Sequence, residues 1–248
     1  MAGIPTVGVS WPNRYANQGV RPAIELPTEP SINVKEVYRQ RFSPEDEARK
    51  DGIWREVGRY LQRFVPVDGK VLDVACDRGQ FIRHIRAGEK WATDLRDVAS
   101  ALPPDVQFVR GDSLEISQAL PNDYFDLAFI SNFLEHLPST EAVIKQLVET
   151  HKVLRRGGRV LILQPNVRLI GGSYWDFIDH QTPLTEKSLV EAGGLAGFET
   201  RVVITRFLPY TTKSRLPQDA RLVSFYLAFR PAWWLFGRQS LYLGEKTG

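Results

Sequence analysis

The sequence predicts an α/β domain in which a mostly parallel β-sheet carries helices on both faces. From about residue 70 onward, short apolar runs of strand length alternate with amphipathic stretches of helix length, which is the pattern of strand–helix–strand units. The 248 residues are 43% hydrophobic and 25% charged, as in ordinary globular proteins. Collagen, coiled coils and intrinsically disordered chains are therefore excluded as classes.

The chain divides into an irregular arm over residues 1–42 and one domain over residues 43–248. The arm contains five prolines and shows no helical or alternating period. The domain opens at Ser43 and Pro44, because serine caps free amides and proline suits the first helical turn. Apolar residues then recur at intervals of three and four positions, which predicts a helix over residues 44–64.

Seven strands are predicted in the domain, together with one well-defined helix. That helix starts at a Ser139 cap and ends at Gly157 and Gly158. The connection over residues 207–239 is far longer than a hairpin needs and contains an apolar helical period, which predicts a helical insert between the sixth and seventh strands. The predicted strands cover residues 70–75, 90–94, 106–109, 125–131, 159–164, 200–206 and 240–245.

The composition excludes several kinds of site and partner. One cysteine, Cys76, and four histidines exclude a disulfide framework and a cysteine-rich zinc site. A formal net charge of +3 does not require nucleic acid as a partner. The sequence has no run of eighteen apolar residues and no charged start followed by a long apolar centre. We therefore expect a cytoplasmic protein.

Three carboxylates lie at the ends of the first three predicted strands: Asp73, Asp94 and Asp112. Ligands of open α/β sheets bind beyond these strand ends, where the amides of a helix start face them, and Gly79 lets the backbone approach a ligand closely. Asp94 follows Asp73 by 21 residues, close to the spacing at which an acid binds a ribose diol. The set suits a nucleoside with a cationic group, because phosphates would be repelled.

The motifs that contain these carboxylates resemble those of class I S-adenosylmethionine-dependent methyltransferases over residues 40–206. The resemblance rests on the strings VLDVACDRGQF, KWATD, VQFVRGD, FDLAFISNFLEHLP and VLRRGGRVLILQPN. It implies a Rossmann-like seven-stranded sheet whose last strand is antiparallel, and S-adenosyl-L-methionine as the cofactor.

The resemblance also implies which residues hold the cofactor. Asp73 and Gly79 border its methionine part, Asp94 binds the ribose hydroxyls, and Asp112 with Ser113 meets the adenine. The full predicted set is Asp73, Ala75, Cys76, Gly79, Asp94, Leu95, Asp112, Ser113, Ser131 and Asn132.

Two residues of the predicted cofactor loop depart from the family pattern. Ala75 and Asp77 stand where the family commonly has glycine. Alanine adds only a methyl group, and aspartate tolerates unusual backbone angles better than most residues. We therefore expect the loop to keep its conformation. A dehydrogenase would need G-x-G-x-x-G, of which only Gly79 is present.

Methylation of a hydroxyl requires the acceptor and the methyl group in line, and a group that removes the proton. We predict His180, within YWDFIDHQTPLT, as the base, with Asp179 or Asp176 orienting its ring. His136 and Glu135 follow the fourth strand, and they either act at the methyl-transfer site or support the next helix. We assign no metal site, although Asp176, Asp179 and His180 holding a divalent ion is an open alternative.

The strings SNFLEHL, QPN, YWDFIDHQTPLT and RFLPYTTKS resemble a bacterial methyltransferase group often met beside glycosyltransferases. This resemblance implies O-methylation of a sugar hydroxyl on a glycan, glycolipid or small-molecule acceptor, with no nucleic acid as a partner. Two alternatives stay open: N- or O-methylation of a secondary metabolite, and a non-catalytic cofactor-binding module.

The predicted insert ends in an aromatic cluster. Trp233 and Trp234 lie close in sequence to Arg230 and Arg238. One interpretation makes this cluster a wall for the acceptor or a peripheral contact with the inner face of the membrane. The other packs its aromatic side chains into the core.

Overall fold

The computed structural model describes residues 44–210 and 219–247, with side chains from residue 49 onward. The arm predicted over residues 1–42 and the cap predicted at Ser43 lie outside the described residues.

The described residues form one seven-stranded sheet in the order β3-β2-β1-β4-β5-β7-β6. Neighbouring strands from β3 to β5 are parallel, and β7 runs antiparallel to both β5 and β6. The predicted fold class, with its antiparallel last strand, is confirmed. The strands are β1 (Lys70–Val74), β2 (Glu89–Asp94), β3 (Val106–Arg110), β4 (Phe125–Ser131), β5 (Leu154–Pro165), β6 (Phe198–Ile204) and β7 (Gln239–Lys246).

Helices cover both faces of the sheet, because the central strands β1, β4, β5 and β7 bury consecutive side chains and hence both of their sides. On one face, Leu147 and Leu189 pack on Ile162 in one apolar cluster, and on the other, Leu61 and Trp233 belong to a second cluster. The helices of the described residues are α1 (Pro44–Leu61), α2 (Ile116–Ala119), α3 (Thr140–Val153), α4 (Val167–Ile170), α5 (Glu186–Leu195), α6 (Ala220–Ala228) and α7 (Arg230–Phe236). None of them is both long enough and apolar enough to cross a membrane.

Helix α3 begins where the sequence predicts and ends earlier than predicted. The Ser139 hydroxyl accepts a hydrogen bond from the Ala142 amide at 3.2 Å, as a cap does. The helix ends at Val153 and β5 follows directly, so the predicted end at the two glycines was wrong. Residues 155–158 instead bulge out of the pairing between β4 and β5. A Cβ atom on Gly158 would lie 2.7 Å and 2.9 Å from the carbonyl oxygens of Arg155 and Phe125. Glycine is therefore required at this position, because the two backbone segments come too close for a side chain.

The turn after β1 was expected to open a helix, and this expectation was also wrong. Residues 75–88 are all that separate β1 from β2, and they contain only a single 3-10 turn, Ile82–His84. The loop over residues 75–81 uses half of this connection. Too few residues are left for a helix and for the return to the start of β2.

The described part of the insert between β6 and β7 is helical, as predicted, and contains α6 and α7, whereas residues 211–218 lie outside the described residues. Its two adjacent tryptophans have opposite environments. Trp233 is 6% exposed; its ring packs edge-on against Tyr60 and Phe207, and its indole nitrogen donates to the Tyr226 carbonyl at 2.8 Å. Trp234 is 74% exposed. A surface role for Trp233 is therefore wrong, because this side chain belongs to the core.

Candidate active site

The loop that follows β1 is held in a left-handed conformation at three alternate positions. Ala75, Asp77 and Gly79 have φ angles of 52°, 50° and 66°. The loop thus keeps the shape that glycines usually allow, although two of its three positions carry side chains, as expected. Sterics also require glycine at position 79, since a Cβ atom there would lie 2.4 Å from Leu102 Cδ2. Its close neighbour is thus a side chain of the protein itself.

Asp73, at the end of β1, is a buried carboxylate without a complete set of partners. It is 4% exposed, and its Oδ2 atom accepts no hydrogen bond from the residues that the structure describes. Burial raises its pKa well above the ordinary value, and the nearby charges of Asp94 and Asp77 add to this effect. A buried acceptor of this kind favours a cationic donor such as an ammonium group.

Asp94 lies at the end of β2, and both of its carboxylate oxygens accept hydrogen bonds from nearby residues of the same chain. Its Oδ1 accepts from the Arg96 amide at 2.9 Å and from Arg96 Nε at 3.0 Å. Its Oδ2 accepts from the Asp77 amide at 3.0 Å and from Arg96 Nη2 at 3.1 Å. A carboxylate offers about four acceptor positions, so ribose hydroxyls can bind Asp94 only by replacing some of these bonds, and the bonds of the Arg96 side chain are the ones that can swing away.

Arg96 ties the two acidic positions together. Its Nη2 atom also donates to Asp77 Oδ1 at 2.9 Å, and Lys50 lies 3.5 Å from the other oxygen of Asp77. Cys76 belongs to the loop after β1, and its amide donates to the Thr93 carbonyl at 2.9 Å. Burial, followed by the charge of Asp73, raises the pKa of the Cys76 thiol, which keeps it neutral.

The remaining predicted cofactor residues lie along the same edge of the sheet. Leu95 follows Asp94 and is 68% exposed, so it offers an apolar surface to a ring. Asp112 is exposed and caps the 3-10 turn that starts at Ser113, accepting from the Leu114 amide at 2.9 Å. A cavity of about 190 Å³ borders Asp112. At the end of β4, Asn132 has a φ of 47° and donates to the Ser131 hydroxyl at 2.9 Å.

The charge and exposure of these residues suit S-adenosylmethionine. The buried Oδ2 of Asp73, which has no partner among the described residues, suits the ammonium of the methionine part, and Leu95 with the cavity beside Asp112 suits the adenine. Asp94 suits the ribose hydroxyls when the Arg96 side chain releases its two hydrogen bonds to this carboxylate.

A second polar cluster lies beyond the ends of β4 and β5, and it contains the predicted catalytic residues. Glu135 is 1% exposed, and its Oε2 accepts from Gln164 Nε2 at 3.0 Å. Burial raises the pKa of Glu135, while the adjacent His136 acts in the opposite direction. His136 Nε2 lies 3.9 Å from Glu135 Oε1.

The segment over residues 171–182 brings His180 and Asp179 to this cluster. His136 Nδ1 lies 2.9 Å from the Asp179 carbonyl oxygen and 3.5 Å from Asp179 Oδ2. The rings of His136 and His180 meet edge-on with centroids 5.1 Å apart. All four predicted catalytic residues therefore lie together, whereas Asp176, the further candidate, is exposed.

Three side chains of this cluster could hold a metal ion. One ligand atom each from Glu135, His136 and His180 lies within 4.8 Å of the other two. This set differs from the alternative drawn from the sequence, which combined Asp176 and Asp179 with His180.

Two residues of the sites were missed in the sequence. Gln164 binds Glu135 from β5, and its signal was a polar residue inside the apolar run VLILQP. Arg96 contacts both Asp94 and Asp77, and no sequence pattern distinguishes it from the other arginines.

The strand order and the antiparallel strand β7 match the Rossmann-like fold of methyltransferases of known structure. The family model described as "Methyltransferase domain" matches residues 39–203. The chain therefore belongs to this family of methyltransferase domains.

Relatives of known name agree with this assignment. "Probable methyltransferase ltbC" from Aspergillus luteorubrus is 24% identical over 140 residues, which is 49% of either chain, so our chain spans about half the length of this curated relative. A methyltransferase structure from Archaeoglobus fulgidus is 22% identical with a TM-score of 0.54, covering 77% of this chain and 94% of that one. Another, from Thermotoga maritima, is 14% identical with a TM-score of 0.60, covering 86% and 96%. At such identities, the two structures support the fold alone.

Proposed function

We propose that the protein transfers the methyl group of S-adenosylmethionine to an oxygen, namely a sugar hydroxyl of a glycan, glycolipid or small-molecule acceptor. The observation that carries the proposal is the cluster of Glu135, His136, Asp179 and His180. It lies beyond the end of β4, the strand that pairs with β1 next to the cofactor loop. A hydroxyl acceptor needs proton removal, which a cluster of imidazoles and carboxylates provides.

Different side chains at the strand ends bind different parts of the cofactor. When bound, the cofactor supplies a methyl group on a positively charged sulfur. Asp73 orients the ammonium group of its methionine part, Asp94 holds the ribose hydroxyls, and Leu95 with Asp112 encloses the adenine. The proton of the acceptor hydroxyl passes to the imidazole of His136 or His180 or, where a cation held by Glu135, His136 and His180 lowers the pKa of the hydroxyl, to the Asp179 carboxylate or to water.

The surface of the insert supports a lipid-linked acceptor. Phe225 and Trp234 are largely exposed, the rings of Phe225 and Phe229 are stacked, and Arg230 begins α7 beside them. Exposed aromatic rings next to basic side chains favour the headgroup region of an anionic membrane. The sugar of a lipid-linked acceptor would then reach the site from the membrane face.

Product analysis tests the proposed reaction. The protein is incubated with methyl-labelled S-adenosylmethionine and separate pools of free sugars, lipid-linked sugars and amines, and labelled products are located by mass spectrometry and NMR. We expect label on a sugar oxygen. Label found only on nitrogen, with the same protein binding the cofactor normally, would refute the acceptor class and leave the methyltransferase assignment intact.

A further inference from the structure

We propose that Glu135, His136 and His180 bind a divalent transition-metal ion, and that the acceptor hydroxyl occupies one of its open positions. The first half stands on the cluster alone. The second half rests on the proposed function, because it requires an oxygen acceptor.

The three ligand atoms are already close to the spacing of a metal site. They lie within 4.8 Å of one another, and Glu135 Oε1 is 3.9 Å from His136 Nε2. Metal–ligand bonds of about 2.1 Å place the ligands of a tetrahedral ion roughly 3.4 Å apart. The gap between Glu135 and His136 therefore closes by a small turn of either side chain, with the backbone in place.

Neighbouring groups orient two of the ligands as outer-shell partners do in metalloproteins. His136 Nδ1 lies 2.9 Å from the Asp179 carbonyl oxygen, which fixes a proton on that nitrogen and leaves Nε2 for an ion. Gln164 Nε2 donates to Glu135 Oε2 at 3.0 Å, which leaves Oε1 on the side of His136. Metal-binding histidines and carboxylates commonly have both kinds of support.

The two segments that carry the ligands are fastened to each other. The Glu135 carbonyl accepts from the Gln181 and Thr182 amides at 2.7 Å and 3.0 Å, and the Thr182 hydroxyl donates to the Leu137 carbonyl at 2.6 Å. His180 is thereby kept beside Glu135 and His136. Such a preorganised arrangement reduces the ordering required when an ion binds.

The ligand chemistry indicates the class of ion. Two imidazoles and one carboxylate suit zinc, cobalt, manganese and iron, whereas magnesium and calcium prefer oxygen ligands. A cation would also compensate the buried Glu135 carboxylate, whose charge is costly to bury otherwise. Three protein ligands leave positions open. A hydroxyl bound there would have its pKa lowered as metal-bound water does, and its proton would pass to the neighbouring Asp179 carboxylate or to water.

The direct test is binding of Co²⁺ to the untagged, chelator-treated full chain, followed by visible absorption and calorimetry. We expect binding of one ion. Glu135→Gln, His136→Gln and His180→Gln should each weaken it by more than about 100-fold, since loss of an outer-shell partner alone costs about 10- to 100-fold. Gln164→Met removes such a partner, the donor to Glu135 Oε2, and should weaken binding about 10-fold.

His84→Gln is the matched control, because His84 Nε2 also lies near a carboxylate, 2.9 Å from Asp51 Oδ1. It should bind Co²⁺ like the parent. Affinity for S-adenosylhomocysteine, measured on every variant, separates loss of the ion from unfolding. No binding by the parent, or full binding by the correctly folded His136→Gln and His180→Gln variants, would overturn the metal site.

Turnover separates this inference from the proposed function. If the chelated protein methylates a hydroxyl at the full rate and added Zn²⁺, Co²⁺ or Mn²⁺ changes nothing, the catalytic role of the ion is wrong while O-methylation stands. If Co²⁺ binds as expected but only amines are methylated, the metal site stands and the oxygen acceptor is wrong.

Discussion

Asp94 and Arg96 should have opposite effects on cofactor affinity. Asp94 is 7% exposed, and two of the hydrogen bonds that it accepts come from the Arg96 side chain, at 3.0 Å and 3.1 Å. We expect the two ribose hydroxyls to take over these two positions. Asp94→Ala then loses both ribose bonds, whereas Arg96→Met removes the competitor for them.

The magnitudes follow from the kind of bond exchanged. A hydrogen bond to a charged group contributes about 1.5 to 3 kcal/mol, so loss of two should weaken cofactor binding by at least roughly 100-fold. Removing Arg96 gains less, because the protein bonds being exchanged are themselves favourable. A gain of about 1 kcal/mol, the scale of a partly exposed ion pair, corresponds to roughly fivefold tighter binding.

Calorimetric titration with S-adenosylhomocysteine measures both effects on proteins whose folding is checked by thermal melting. Arg155→Met is the matched control, since Arg155 Nε also donates to an aspartate, Asp126 Oδ1, at 2.6 Å, and this pair joins the starts of β5 and β4, away from the carboxyl ends of the strands. It should leave affinity nearly unchanged. Weaker binding by Arg96→Met would mean that Arg96 orients Asp94 for the ribose, and unchanged binding by Asp94→Ala would remove Asp94 from the site.

Three further outcomes are expected. The folded-state pKa of Asp73 lies above its ordinary value, so its carboxyl lowers the stability of the fold as pH rises towards and through that folded pKa. Asp73→Asn should therefore melt at a higher temperature than the parent near pH 8 and at the same temperature near pH 3. It should also bind the cofactor more weakly. Ala75→Gly removes a side chain from a left-handed residue and should raise the free energy of unfolding by about 0.5 to 1 kcal/mol in urea titrations, and an unchanged midpoint would show that the loop carries no strain there. Trp233→Ser should lower the free energy of unfolding by about 3 to 5 kcal/mol, because Trp233 belongs to the core. Trp234→Ser should melt like the parent and lose flotation with anionic vesicles. If Trp234→Ser floats as well as the parent, the membrane contact is refuted.

The parts of the molecule that depend on periodicity could be predicted from the sequence. Strand β4 lies over residues 125–131 as predicted, because its apolar run is bounded by turn residues on both sides. The loop conformation at Ala75 and Asp77 could be predicted as well, because those two residues occupy glycine positions of a known motif.

Features that depend on where a side chain reaches could not be predicted. Trp233 and Trp234 are adjacent in an apolar run, and the run alone does not tell which of them faces the sheet. The Arg96 side chain donates to Asp77, which lies far from it in the chain. The local sequence pattern around Arg96 therefore does not indicate this hydrogen bond. The end of α3 at Val153 is set by the start of β5, which overrides the stop signal of Gly157.

The position of β7 has a consequence for how the protein is made. This strand comes after β6 in the chain, yet it lies between β5 and β6, and Lys246 at its end donates to the His151 and Leu154 carbonyls. As the chain leaves the ribosome, β6 has no partner and β5 is an open edge until residues 239–246 arrive. Open edges pair with other chains, so this sheet of the nascent protein is most prone to aggregate just before β7 is released.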